Sequence, residues 1–347
     1  DYTIQKYKTG ENENIEVAEG MESAVLEQIN IAKIESTGIE YPSLRKALNA
    51  VTQTDTVTIL QSFEVPQTEN SIEIAAEKNI TVNLNGKKIT ASNENTIINN
   101  GELNITDTTE NVGEMVSNND TLILNNENAI LNINNGNISF IVTKEKSLIN
   151  NKGTANINGG TININADNSN GIYNTGELSI KNGNLNAYNY GAKCIENIGT
   201  AVIENGNLTK TSYYGVIDNC KDLYIKGGTI KNTSGNAIVN KVNTNNIGKI
   251  KMTGGIVQST NGSEAINIYD NAEIDITDGE VISEGVGIHN YNKGKIKMTG
   301  GKITAKREGI YNYNRDATGG EVTIEGGEIS SRECSGIYNN SYYGYAY

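Results

Sequence analysis

A ten-residue pattern, Gly153-Thr-Ala155-Asn-Ile157-Asn-Gly159-Gly160-Thr-Ile162, returns along the chain and limits its folding more than any other feature. Copies begin at Ile80, Gly101, Ala129, Gly153, Gly176, Gly199, Lys221, Gly248, Ala272, Gly294 and Gly320. Their spacing varies around roughly 23 residues, as expected of a solenoid whose loops change length while its strands do not.

The fifth position of every copy is aliphatic: Leu84, Ile105, Ile133, Ile157, Ile180, Ile203, Ile225, Met252, Ile276, Met298 and Ile324. The third position, from Val82 and Leu103 through Ile296 and Val322, is also apolar, while the residues between are mostly Asn, Lys, Thr or Glu. Period two of this kind marks strands with one buried face. A glycine at the eighth position, from Gly136 through Gly327, precedes a second short apolar strand and marks a corner that needs positive φ or a close approach to the next coil. A third strand follows with the form Ile-x-Asn, as in Ile172-Tyr-Asn174, Ile195-Glu-Asn197, Ile217-Asp-Asn219, Ile238-Val-Asn240, Ile288-His-Asn290, Ile310-Tyr-Asn312 and Ile337-Tyr-Asn339. Three strands and three corners per repeat predict an all-β, right-handed, single-stranded parallel β-helix of about eleven coils. The terminal Asn of the third strand either stacks inward, amide on amide, or simply suits a left-handed turn. Residues 106–128 fit the pattern badly and read either as an extra short coil around Thr121–Leu124 or as an irregular excursion.

The N-terminal end differs. Ser43 is placed to cap a short helix with Leu44, Ala47, Leu48 and Val51 on one face, and such a helix would cover the open end of the stack. Residues 35–60 then hold the capping helix and first strand, residues 61–347 the β-helix, and residues 1–34 a lead-in or the edge of a preceding module.

The run Ala32-Lys-Ile34, Tyr41-Pro-Ser-Leu44, Lys46-Ala-Leu-Asn-Ala50, Asp55-Thr-Val-Thr-Ile-Leu60, Lys78-Asn-Ile-Thr-Val-Asn-Leu-Asn-Gly86 and Lys88-Ile-Thr90 resembles the opening of β-helix modules in large surface proteins of Firmicutes. Those modules belong to the pectin-lyase-like superfamily, and the resemblance spans about residues 32–347. It implies an extracellular or cell-surface location within a larger multidomain chain. The superfamily holds lyases, hydrolases and adhesins, so the resemblance leaves activity open.

Net charge is −13, which disfavours nucleic acid and anionic membranes. No run approaches the length of a membrane span. Cys194, Cys220 and Cys334 lack metal-ligand spacing, and no disulfide is expected between the first two. Neither cofactor nor metal is expected. A lyase in this superfamily would pair acids with a catalytic Arg or Lys, but Arg45, Arg307, Arg315 and Arg332 lie off the strand rows, and Glu204, Asp275 and Glu325 sit among lysines.

The outward slot of the third strand is the better lead. It runs Tyr173, Glu196, Asp218, Val239, Asn267, His289, Tyr311 and Tyr338, with Tyr291 and Tyr313 two residues further on. Adjacent coils stand about 4.8 Å apart, so His289, Tyr311 and Tyr338 are expected to line up as an exposed aromatic strip on a flat face, which Tyr342-Tyr343-Gly-Tyr345-Ala-Tyr347 would extend. Tyr173, His289, Tyr291, Tyr311, Tyr313 and Tyr338 are therefore the candidate ligand contacts, for a host or microbial glycan or a surface protein. The expected role is an adhesin or rigid stalk; the alternative is a carbohydrate-active lyase or hydrolase.

Overall fold

The computed structural model describes residues 29–141, 145–314 and 319–341. Parallel strands stack into twelve coils, one more than the pattern predicts. The additional coil is the first, made of Thr54–Ile59, Phe63–Val65 and Ile72–Ile74, which precedes the earliest copy of the pattern. Every later coil adds one strand to each of three rows; the fifth, for example, comprises Thr154–Ile157, Thr161–Ile164 and Asn170–Asn174. From the ninth coil the first two strands run together, as in Lys249–Ser259, with register shifts where the corner would otherwise fall.

The aliphatic columns point inward as expected. Ile157, Ile180 and Ile203 pair in direct register and are fully or almost fully buried. One copy of the pattern was framed wrongly. Val82, not Leu84, lies over Ile105, and Ile80 lies over Leu103, so that copy begins two residues earlier and Leu84 is a buried corner residue. Residues 106–128 contain neither an extra coil nor a break. Glu114–Ser117 and Ile123–Asn125 are the ordinary second and third strands of the third coil, and only the connection before them is long. The corner glycine does what its position requires: Gly160 has φ +78°, and a Cβ there would meet Gly136 O at 2.5 Å.

The third-strand asparagines form the inward ladder. Each Nδ2 donates to the Oδ1 of the next coil at 2.7–2.8 Å from Asn99 through Asn125, Asn151, Asn174, Asn197 and Asn219 to Asn240. Ile268 takes the ladder position in the ninth coil. The ladder resumes from Asn290 to Asn312 at 2.8 Å and to Asn339 at 3.1 Å, but Asn290 Oδ1, facing the isoleucine, has no partner among the described residues.

A second inward column closes the corner between the second and third rows. Lys210, Asn232, Ser259, Ser283 and Ser331 share this column, and each donates to a backbone carbonyl of the preceding coil: Ala192, Tyr214, Gly235, Ser263 and Arg307 respectively. Lys210 is completely buried there, and desolvation pulls its pKa down to about 8.

At the N-terminal end, Leu44–Ala50 is the expected helix, with Ser43 Oγ accepting the Lys46 N–H at 3.2 Å and Leu44, Ala47 and Leu48 buried. Lys78 Nζ donates to the carbonyls of Leu48 and Asn49 near the helix C-terminus, groups the helix cannot satisfy itself. Ala32–Ile34, placed in the lead-in by its sequence, pairs antiparallel with Thr54–Ile59 of the first coil. On the outer face of the first row, Asp222, Lys249, Glu273, Lys295 and Glu321 stand in register with strictly alternating charge.

Candidate functional site

Outward side chains of the third row stand over no core, and in the middle of the stack the loops that lead into this row rise beside them. The result is a groove of about 1010 Å³ extending from Glu94 and Asp120 to Tyr269. Between the second and ninth coils that is seven strand steps, roughly 34 Å. The expectation of a flat face is therefore corrected for these coils, because the corner loops are long enough to form a wall.

Asn150, Tyr173, Glu196, Asp218 and Val239 occupy successive outward slots and form the floor. The period-two strand directs each outward, since the isoleucine and asparagine beside it point inward. Lys193 Nζ lies 3.3 Å from Glu196 and 3.2 Å from Asp218, and Lys241 lies 2.8 Å from Asp218. Asn170 Nδ2 donates to Glu196 at 2.9 Å. Burial pulls against the Lys241 ammonium, but Asp218 outweighs it and the pKa rises. Burial, with help from Glu196, raises the Tyr173 phenol, which remains neutral. At the other end, Lys146 pairs with Asp120 at 2.8 Å; burial resists ionisation of Asp120, yet Lys146 and the Thr121 amide hold its pKa below the usual range.

The wall supplies residues that sequence reasoning missed. Tyr190, Tyr213 and Tyr214 are 58%, 63% and 45% exposed. Tyr214 meets both neighbours edge-on, at centroid distances of 5.3 Å and 5.5 Å, and its hydroxyl lies 3.2 Å from that of Tyr190. Tyr214 also has φ +78°, a left-handed conformation that a bulky side chain adopts only at a cost of about 1–3 kcal/mol. The next residue, Gly215, fits tightly above Asp218, where a Cβ would stand 3.0 Å from Oδ1, so the lip is seated on the floor. A sequence signal for these residues existed: Asn189-Tyr190-Gly191 and Ser212-Tyr213-Tyr214-Gly215 place aromatics beside polar and glycine residues, between the alternating strands.

The aromatic strip forms beyond the groove. His289 and Tyr311 lie 4.7 Å apart, Tyr311 and Tyr338 5.5 Å, and Tyr311 and Tyr313 6.2 Å. Tyr269 and Tyr291 stack at 4.7 Å and 4°. Tyr338 is exposed and Tyr291, Tyr311 and Tyr313 half-buried, but His289 is only 7% exposed, because the Tyr291 ring lies 3.6 Å from its face. The expectation of an exposed imidazole is thus corrected. Tyr173 belongs to the groove floor and stands apart from this strip. Tyr342–Tyr347 and Arg315 lie outside the described residues.

Set beside protein-family models, curated proteins and solved structures, the chain matches none. What can be said of function follows from the groove and the strip.

Among the described residues no grouping of three or more His, Cys, Asp or Glu is placed to hold a metal, and no helix is long and apolar enough to cross a membrane. Cys194 and Cys220 are buried free thiols and Cys334 is an exposed one. Desolvation pushes the Cys194 thiol up to about 12, so it is inert as a nucleophile. A smaller depression of about 500 Å³ lies over the lysines and acids of the first-row face.

Proposed function

We propose that this chain is a glycan-binding β-helix module of a bacterial surface or secreted protein, and that it holds an extended saccharide chain in the third-row groove. The exposed tyrosine lip carries this reading. Tyr213 and Tyr214, the latter on strained backbone, line the groove beside a floor that carries ionised and amide side chains, and Tyr190 packs against Tyr214. Flat rings cover the apolar faces of sugar rings while carboxylates, ammonium groups and amides exchange hydrogen bonds with their hydroxyls. A groove roughly 34 Å long suits a polymer better than a single small molecule. The acidic chain, at −13, favours a neutral glycan over a polyanion.

The test is a glycan array probed with the whole chain, followed by titration of the best saccharide against Tyr190→Ala, Tyr213→Ala and the double variant. Both residues are more than half exposed, so folding should be unchanged. Affinity should drop tenfold or more, about 1.4 kcal/mol. Unchanged affinity would move the binding face elsewhere, and an array without any ligand would leave the module a spacer.

A carbohydrate-active enzyme is the second reading, and one observation favours it. Glu196 and Asp218 stand side by side on neighbouring coils, about 4.8 Å between strands, near the carboxylate spacing of retaining glycosidases. Against it, lysines hold both carboxylates in ion pairs. Release of reducing ends from a polysaccharide panel, lost in Glu196→Gln, would establish it.

A further inference from the structure

The covered atoms on the third-row face that lack hydrogen-bond partners among the described residues include Asn267 Oδ1 and His289 Nε2, which lie side by side, and Asn150 Oδ1, which lies apart in the groove floor. Asn267 is 3% and His289 7% exposed. They are in-register neighbours on the ninth and tenth coils, so their backbones stand about 4.8 Å apart. Folded proteins rarely cover polar atoms without pairing them, because the desolvation cost is then uncompensated.

Both atoms have the same chemical character. His289 Nδ1 lies 3.4 Å from Glu264 Oε1. That contact with His289 holds the Glu264 carboxyl below its usual range against the opposing effect of burial, so Glu264 is an ionised acceptor. In the neutral imidazole the ring proton belongs on Nδ1, facing the carboxylate, which leaves Nε2 a bare acceptor. Asn267 turns its Nδ2 toward the Tyr269 hydroxyl at 3.5 Å, leaving Oδ1 a second bare acceptor. Two adjacent acceptors call for two adjacent donors. An ammonium would need a carboxylate, and the nearest, Glu264, is already engaged; neighbouring hydroxyls of a sugar ring supply the donors without a charge.

The surroundings fit a sugar ring. Tyr291 and Tyr311 flank the imidazole at 3.6 Å and 4.7 Å, Tyr269 stacks on Tyr291, and all three rings are half-buried. Tyr269 also ends the groove. We propose that Asn267 Oδ1 and His289 Nε2 form a diol-binding subsite at the far end of the groove, uncovered when the Tyr269 and Tyr291 rings swing aside, for two neighbouring hydroxyls of a hexopyranose. This rests on the glycan-binding reading and names the group recognised at one end of the saccharide. In the unliganded chain the two rings shield the acceptors, and the incoming ring replaces them as the apolar cover.

His289 is the only histidine, so its two ring nitrogens are assignable without ambiguity. Long-range ¹H–¹⁵N correlation spectra of the full chain should show the Nδ1-protonated tautomer. Methyl hexopyranosides of gluco, galacto and manno configuration, and oligosaccharides built from them, should then be titrated in. At least one should move the Nε2 resonance and leave Nδ1 nearly in place. Asn267→Leu removes an unpartnered covered atom, keeps the side-chain bulk and should melt no lower than the parent chain; His289→Phe also takes the Glu264 carboxylate's partner away and should melt lower. Both should bind that saccharide at least tenfold more weakly. An Nε2-protonated tautomer, a shift produced by n-butylammonium but by no saccharide, or variants that bind as the parent does would overturn the subsite. If those variants bind normally while Tyr190→Ala and Tyr213→Ala do not, the subsite fails and the groove reading stands; if the parent chain binds no saccharide, both fail.

Discussion

The gap in the asparagine ladder allows one substitution to be compared at two places. Ile180 and Ile268 are both completely buried aliphatic side chains, so burial alone predicts that Ile→Asn should be equally damaging at either. At Ile180 the amide would enter the aliphatic column between Ile157 and Ile203. The loss of transfer energy is about 2 kcal/mol, and burying an amide without partners adds about 1–3 kcal/mol. At Ile268 the same transfer energy is lost, but the new amide lands between Asn240 and Asn290 in the established ladder register. Its Nδ2 would reach the unpartnered Asn290 Oδ1 and relieve a cost of about 1–3 kcal/mol. Its Oδ1 would receive Asn240 Nδ2, which now donates to the carbonyls of Gly248 and Glu273. Ile268→Asn should therefore come out within about 1 kcal/mol of the parent chain and Ile180→Asn about 4 kcal/mol less stable. Urea unfolding followed by far-ultraviolet circular dichroism would measure both, with amide exchange across coils eight to ten showing whether the joined ladder is locally firmer. Equal destabilisation at the two positions would refute the view that the ladder, rather than burial, decides which side chain this column accepts.

Lys210 gives a pH dependence with a definite sign. Its folded pKa is lowered to about 8 from 10.5, so between those values the unfolded chain holds a proton that the folded chain has released, and stability rises with pH through that window by up to about 3 kcal/mol. Lys210→Met should abolish that rise, measured as the difference between the two chains in urea midpoints from pH 7.5 to 10.5; parallel curves would contradict it. In the first-row charge column, Glu273 lies 3.8 Å from Lys249 and 3.9 Å from Lys295, all well exposed. Glu273→Lys should replace two weak attractions with two repulsions and cost about 1 kcal/mol or less, recovered in 1 M salt, where exposed charges are screened. A loss that salt does not recover would point to packing instead.

What could be read from the sequence followed the repeat. The inward columns, the corner glycines and the ladder asparagines are each fixed by contact with their own counterpart one coil away, so period and identity betray them. The frame slipped at Val82 because apolar residues at Ile80, Val82 and Leu84 alternate through the corner and allow two registers. In the third coil, Ile123-Leu-Asn125 carries the full third-strand signature, but the long connection before it hid the spacing. The groove could not be seen in the same way. Tyr190 and Tyr214 meet across neighbouring coils, but they and Tyr213 stand in loops of unequal length, at no fixed distance from the strand pattern, so its period does not point to them. His289 was located on the correct face but not at the correct depth, since its cover comes from Tyr291 folding back along its own strand, a contact that slot-by-slot reading does not anticipate.

The alternating charges of the first-row column bear on how such an array can grow. Loss of the single coil that carries Glu273 would set Lys249 directly against Lys295, whereas removing or adding two coils together preserves the order of signs. The segment Gly248-Lys-Ile-Lys-Met-Thr-Gly-Gly255 recurs letter for letter as Gly294–Gly301, two coils further on. Insertion in pairs is the step this surface tolerates, and the duplicated octapeptide has the spacing that such a step would leave behind.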